Sequence, residues 1–165
     1  MQRREFITLL GGAAAAWPLA ARAQQSDRVR RIAVVMGVAD NADGHARLAA
    51  LKKGMETLGW LDGGNVRFDV RYTAGVIDMA RVAASEVIAL APDIIVANTN
   101  TVVMALKQQT RAIPIVFVQV IDPVNTGIVE SVAHPGENIT GFSSGDFSFS
   151  AKSVEVLKGT SNNCR

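Results

Sequence analysis

Residues 113–142 decide the fold class of this chain; they read IPIVFVQVIDPVNTGIVESVAHPGENITGF. Within them, segment 115–120 is apolar on both faces of an extended strand, which is typical of a parallel sheet covered by helices on both sides. Asp122 and Pro123 follow this strand directly. Because ligands of such sheets bind at the carboxyl ends of the strands, the segment predicts both a buried strand and the position of a binding site.

Apolar periodicity on the amino-terminal side of this segment, and within it, predicts a repeating order of strands and helices. Strands are expected at 31–36, 66–72, 94–97, 115–120 and 139–142, and helices at 44–58, 78–90, 100–110 and 124–133. The alternation of apolar and polar residues in 66–72 favours a position at the edge of the sheet. Short connections between such elements indicate an α/β fold, with a doubly wound, mostly parallel sheet of about five strands.

The first 23 residues have the features of an export signal and are not expected in the fold. Arg3 and Arg4 form a basic start, and the uncharged stretch that follows is too short for a membrane-spanning helix. A small-x-small cleavage site, Ala21 and Ala23, stands before Gln24. The paired arginines leave the general secretory route and the twin-arginine route open, and both predict a periplasmic protein.

Charge and cysteine content exclude several kinds of partner and of stabilisation. Lys and Arg outnumber Asp and Glu by 17 to 15, but three of the arginines and one of the glutamates stand in the first 23 residues. The remainder is formally neutral, which gives no basis for a nucleic-acid partner or an anionic membrane surface. Cys164 is the only cysteine, so the exported protein is expected to depend on its hydrophobic core without an internal disulfide.

Three loops at the carboxyl ends of predicted strands carry the candidate ligand-binding residues. These are Gly37 and Val38 after the first strand, Asn98, Thr99, Asn100 and Thr101 after the third, and Asp122 and Pro123 after the fourth. The second loop lies directly before a helix, whose free backbone N–H groups and positive end suit a carboxylate. Asp122 is a candidate to accept a hydrogen bond from a ligand ammonium group. Two alternatives stay open: Thr99 or Asn100 merely caps the helix, and Asp122 merely holds the turn before its proline.

No feature of the sequence indicates a catalytic centre, a metal site or a cofactor. The first strand–helix turn lacks the glycine spacing of nucleotide-binding loops, and Ser143 and Ser144 do not stand in a nucleophile elbow. His45 and His134 have no partner at the spacing of metal ligands or of a catalytic triad. We therefore expect a binding protein with no catalytic residues, no metal ligands and no cofactor.

The order of motifs in 113–142 resembles a known protein family. The buried strand, the D-P-V after it, the P-G turn and the N-I-T-G-F segment together resemble the first lobe of ABC-transporter substrate-binding proteins with the type 1 periplasmic-binding fold. The resemblance is to the branch linked to tryptophan and other aromatic amino acids, and it extends over residues 1–145. Asn98 and Asn100 depart from the small hydroxyl residues usual in the family, and Glu137 replaces a second glycine, which affects the ligand preference more than the fold.

This resemblance implies a domain plan and a function. The expected plan is a signal peptide at 1–23, an amino-terminal α/β lobe at 24–145, and a linker with a truncated start of a second lobe at 146–165. The implied function is that of an exported solute-binding component of an ABC importer, which binds a small molecule such as an amino acid in its cleft and delivers it to a permease in the inner membrane. The alternatives are a non-functional or structural fragment that self-associates through its exposed cleft face, and a small exported α/β enzyme.

Overall fold

The structure is a computed structural model that describes residues 28–131, 133 and 135–145. Its elements are β1 (Arg30–Met36), α1 (Ala42–Thr57), β2 (Val66–Tyr72), α2 (Ile77–Ala89), β3 (Ile94–Asn98), α3 (Asn100–Gln109), β4 (Ile115–Ile121) and β5 (Ile139–Gly145). The expected signal peptide at 1–23, with its cleavage site, and the expected linker and second-lobe segment at 146–165 lie outside the described residues.

The five strands form one sheet in the order β2-β1-β3-β4-β5, and every pair is parallel. This confirms the predicted α/β class with a doubly wound sheet. The alternating strand β2 lies at an edge, as its pattern predicts, and the apolar strands β1, β3 and β4 are central. Because all five strands run in the same direction, their carboxyl ends meet at one edge of the sheet.

Helices cover the two faces of this sheet unequally. α2 and α3 pack on one face, where Ile95, Leu106 and Phe117 are among the largest fully buried side chains. On the opposite face, a smaller core lies beneath α1 over β1 and β2. A groove of about 660 Å³ runs beside α1 over β3 and β4, and Phe142 at its edge is 75% exposed. The sheet therefore has one complete apolar core and one face that is partly open.

Local sequence signals fix the ends of the longest helix. The Asn41 side chain accepts a hydrogen bond from Gly44 N at 3.0 Å and caps the amino end of α1. Gly59 follows the carboxyl end with φ +85°, a conformation that glycine adopts without steric cost. None of the helices in the described part of the chain combines the length and the apolar character needed to cross a bilayer.

The structure differs from the sequence predictions at three places. The helix expected at 124–133 is absent from its described residues, because the chain turns tightly after Asp122 and Gly127 adopts φ +70°. β5 extends through residues 143–145, beyond the expected end of the strand at 142, by pairing with β4. α2 begins at Ile77, one residue before the expected start of the helix, so Asp78 lies in its first turn and Val76 at the capping position.

Asp93 links the amino ends of β1 and β3. Its carboxylate accepts a hydrogen bond from Arg31 N at 2.8 Å and another from Arg30 Nη1 at 3.2 Å. The backbone hydrogen bond from Arg31, together with Arg30 and Arg28, holds the pKa of Asp93 below its ordinary value of 3.8, although burial acts in the opposite direction. The ionised carboxylate therefore stabilises the folded state.

We predict that Asp93→Asn lowers the free energy of unfolding by about 1 kcal/mol at neutral pH, because its hydrogen bonds lose their charge assistance. Since the folded-state pKa is lowered, this contribution is present above the ordinary pKa of 3.8 and is lost as the pH falls through the folded-state pKa. Urea denaturation measures the free energy of unfolding at about pH 7 and about pH 3. The difference in this free energy between the variant and the wild type should be smaller at the lower pH. Asp78→Asn, at a side chain 88% exposed, is the control; equal losses for both variants would contradict the prediction.

Gly141 allows β5 to pair closely with β4, because a Cβ at this position would lie 2.0 Å from Phe117 O. We predict that Gly141→Ala lowers the free energy of unfolding by more than about 2 kcal/mol, since the paired backbone must shift. Gly54→Ala is the matched control in α1, where an added Cβ meets no described atom within 4 Å. It should raise the free energy by about 0.5–1 kcal/mol. A melting temperature of Gly141→Ala equal to that of the wild type would refute the prediction.

Candidate functional site

The carboxyl edge of the sheet brings the three predicted loops together. Gly37 and Val38 follow β1, residues 98–101 join β3 to α3, and Asp122 and Pro123 follow β4. β1 pairs with β3, and β3 pairs with β4, so these loops are direct neighbours. The candidate residues named from sequence thus lie at one edge of the sheet, where parallel sheets bind ligands. Gly37, Asn98, Asp122 and Pro123 are buried there, and the other four are partly exposed.

Asn98 links the first two loops from a buried position. It is 2% exposed, and its Oδ1 accepts a hydrogen bond from Gly37 N at 2.5 Å. Thr99 packs so close to Gly37 that a Cβ on residue 37 would lie 2.2 Å from Thr99 Oγ1. Glycine is therefore required at position 37. The side-chain oxygen of Asn98 is already used by its hydrogen bond to Gly37 N.

Thr99 occupies the position before α3 in an unusual conformation. Its φ is +67°, and no side-chain capping hydrogen bond from it to the helix is present in the described structure. Its Oγ1 is buried and has no hydrogen-bond partner among the described residues. Capping, the alternative drawn from the sequence, therefore does not account for this residue. The first N–H groups of α3 are left to a ligand or solvent, and the helix end favours an anion.

Asn100 is directed toward β4. Its Nδ2 donates to Ile121 O at 2.7 Å, and its Oδ1 accepts from Ile121 N at 3.0 Å. The side-chain amide thus pairs with one backbone unit in both directions, as a neighbouring strand would. The role that the structure gives Asn100 is to hold the end of β4, and direct ligand contact by this residue stays a prediction.

Asp122 is 4% exposed and is engaged by its own turn. Its carboxylate accepts hydrogen bonds from Asn125 Nδ2 at 2.8 Å and from Asn125 N at 3.3 Å. Its backbone lies in the left-handed region at φ +48°. This geometry favours the alternative in which Asp122 holds the turn before Pro123, and its contact with a ligand ammonium group stays a prediction.

The sequence did not point to a polar pair that lies beside this edge. Arg47 on α1 donates from Nη1 to Gln119 Oε1 at 2.9 Å, and Gln119 has φ +56° within an irregular part of β4. Non-glycine residues in the left-handed region tend to persist at functional sites, where the surroundings enforce them. A polar residue inside an otherwise apolar strand was the only signal of Gln119 in the sequence.

A second cluster that the sequence did not point to joins the loop after β1, α1 and the end of β2. Asp40 Oδ1 and His45 Nε2 are 2.5 Å apart, and the His45 ring meets the Tyr72 ring edge-on at 5.7 Å. The Tyr72 hydroxyl is buried without a hydrogen-bond partner among the described residues. Burial raises the pKa of Tyr72, and Asp40 adds to this while Lys52 opposes it. The tyrosine is therefore neutral at physiological pH.

Comparison with known proteins identifies the family of this chain. The family model of the ABC transporter substrate binding proteins matches residues 31–165. The chain belongs to this family.

Individual relatives agree with this assignment. A "Tyrosine-binding protein" of Clostridioides difficile (strain R20291) is 31% identical over 118 residues, which cover 69% of this chain and 34% of the relative. A crystal structure of a conserved domain protein from Vibrio cholerae has a TM-score of 0.65 at 30% identity and covers 70% of this chain and 39% of that one. An ABC domain from Streptococcus pneumoniae in complex with L-Trp has a TM-score of 0.63 at 21% identity, covering 69% and 38%, and supports the fold alone. The chain thus spans less than two-fifths of the length of each of these proteins.

We predict that Asn100→Ala lowers the free energy of unfolding by about 1–3 kcal/mol, because the Ile121 backbone loses both partners. Gln108→Ala, at an exposed position of the same helix, is the control and should change stability by less than about 0.5 kcal/mol. Chemical denaturation measures both. An Asn100→Ala variant with wild-type stability would show that the pairing with Ile121 contributes nothing.

Proposed function

We propose that this protein is the exported solute-binding component of an ABC importer and that it binds an amino acid at the carboxyl edge of the sheet. Family membership supports the transport role, and the name of the Clostridioides difficile relative supports an amino acid as the ligand. The single observation that carries the binding site is the amino end of α3, where Thr99 provides no capping bond in the described structure and Thr99 Oγ1 is buried without a partner.

The ligand-binding residues of this proposal surround that helix end. They are Gly37, Val38, Asn98, Thr99, Asn100, Thr101, Asp122 and Pro123. The backbone N–H groups of residues 100–102 receive the ligand carboxylate, because the helix end supplies both donors and a positive field. Asn98 and Asn100 hold these groups in place, and Asp122 completes the rim beside them.

The transport cycle proposed for the whole protein uses a second lobe that closes over the ligand by a hinge motion. The closed form then delivers the ligand to a permease of the inner membrane. Substrate-binding proteins of ABC importers are exported, and the basic start at Arg3 and Arg4 with the Ala21 and Ala23 cleavage site supports a periplasmic location for this one. The twin-arginine and general secretory routes both remain part of the proposal.

The affinity of the single described lobe should be low. A closed cleft buries about 70–90% of a small ligand, and one lobe supplies only part of those contacts. If a complete cleft binds at about 1 μM, losing half of that free energy leaves a dissociation constant of about 1 mM. The competing proposal of a structural fragment predicts no binding at all, with self-association through the exposed edge as its only property.

A charge placed at the helix end tests the proposal. We predict that Thr101→Asp keeps or raises stability by about 0.3–1 kcal/mol, because an acidic residue suits the amino end of α3, and that it weakens amino-acid binding at least about tenfold, because it repels the ligand carboxylate. Thr101→Asn has the same shape without the charge and should bind nearly as well as the wild type. Binding is measured from backbone amide shifts of residues 100–102 during NMR titration with L-phenylalanine.

L-phenylalaninamide, which lacks the carboxylate, completes the design. It should cause no comparable shift at residues 100–102. Equal shifts from both compounds, or equal affinities for Thr101→Asp and Thr101→Asn, would refute carboxylate binding at this helix end. Absence of any shift with a full amino-acid panel would favour the structural-fragment alternative.

A further inference from the structure

The loop after β1 packs directly against the start of α1. Gly44 is buried in the first turn of this helix, and a Cβ on it would lie 2.5 Å from Ala39 O and 3.4 Å from Val38 Cγ2. At the other end of the loop, Gly37 N donates a hydrogen bond to the buried Asn98 Oδ1. The loop therefore lies in close contact with α1 and with the segment that precedes α3.

One pair of side chains joins this loop to α1. His45 Nε2 and Asp40 Oδ1 are 2.5 Å apart, and the two side chains are 62% and 66% exposed. The ring of Tyr72, at the end of β2, meets the His45 ring edge-on at 5.7 Å. Asp43 and Arg47 on α1 pair with each other at 3.1 Å, so Asp40 is the only ionic partner of His45 among the described residues. His45 thus holds the loop and is open to protons from the solvent.

The charge of a histidine changes within the physiological range of pH, whereas the groups around this one keep theirs. Burial raises the pKa of Tyr72, and Asp40 adds to this while Lys52 opposes it, so the tyrosine is neutral at physiological pH. A histidine side chain changes its charge between about pH 5 and 8. A hydrogen bond between charged partners is roughly twice as strong as one between neutral groups. The bond between His45 and Asp40 is therefore expected to be stronger at the acidic end of that range.

We infer that His45 is a positioning residue of the binding edge and that it makes ligand affinity depend on pH. The inference rests on the proposed function, because the loop carries Gly37 and Val38, two of the proposed ligand-binding residues. When His45 is charged, its bond to Asp40 holds the loop against α1, with Gly37 N in place on Asn98. When His45 is neutral, the loop is held less firmly, and binding of the ligand must order it. Because exposed ion pairs are weak, the effect on affinity is about two- to fivefold.

An NMR titration of the ligand-free 165-residue protein with pH tests the link between His45 and the loop. The amide of Gly37 should shift between about pH 5.5 and about pH 8 with the same midpoint as the ring protons of His45. In His45→Gln, which keeps a side-chain donor but carries no charge, this shift should be absent. His134→Gln removes the other histidine and is the control, so its Gly37 amide should titrate as in the wild type. A Gly37 amide that does not follow His45, or that stops titrating in His134→Gln, would overturn the inference.

The affinity for L-phenylalanine separates this inference from the proposed function. It is measured from the amides of residues 100–102, which lie outside the loop. In the wild type the dissociation constant should rise about two- to fivefold between about pH 5.5 and about pH 8, whereas in His45→Gln and in Asp40→Asn it should stay constant.

The possible outcomes of this measurement differ for the two claims. If L-phenylalanine shifts these amides with an affinity that is the same at both pH values in the wild type, the proposed function stands and the positioning role of His45 is refuted. The wild-type pH dependence in His45→Gln would refute that role as well. If L-phenylalanine shifts none of these amides at either pH, the proposed function is refuted, and the effect of His45 on affinity is refuted with it.

Discussion

Two asparagine side chains hold the carboxyl ends of the central strands at fixed positions. Asn98 accepts a hydrogen bond from Gly37 N and so links β3 to the end of β1. Asn100 pairs in both directions with the backbone of Ile121 and so links α3 to the end of β4. A side-chain amide has both a donor and an acceptor, and it replaces the backbone partners that strands lose where they diverge into loops. The candidate binding surface is built on these two links.

The same links explain how the edge tolerates strained backbone. Thr99, Gln119 and Asp122 all have positive φ values, which cost about 1 kcal/mol or more for residues other than glycine. Each of them is adjacent to a strand whose other end is fixed in the complete core beneath α2 and α3. The rigid surroundings therefore hold conformations that an isolated loop would not keep. As a result, the backbone N–H groups at the start of α3 are already in position without a ligand.

The amino-acid sequence by itself determined the order of the elements, the parallel class of the sheet and the three loops that meet at its edge. Apolar runs, glycine stops and edge alternation are local signals, and the neighbours of a strand in a parallel α/β sheet follow from general rules of connection. The motifs in 113–142 also pointed to the family that the comparisons show. The sequence prediction failed clearly at 124–133. A helix was expected there, but local hydrogen bonds to Asp122 close a turn instead.

Only the tertiary structure decided what each loop residue does. Asn100 looked like a ligand contact, but its partner Ile121 is 21 positions away. Gln119 looked like part of a buried strand, but a bulge turns it toward Arg47, 72 positions earlier in the chain. Side-chain direction depends on partners that periodicity does not encode, because a hydrogen bond across strands is fixed by the register of the whole sheet. The position of the candidate site was therefore local information, while the structural role of each of its residues required the assembled fold.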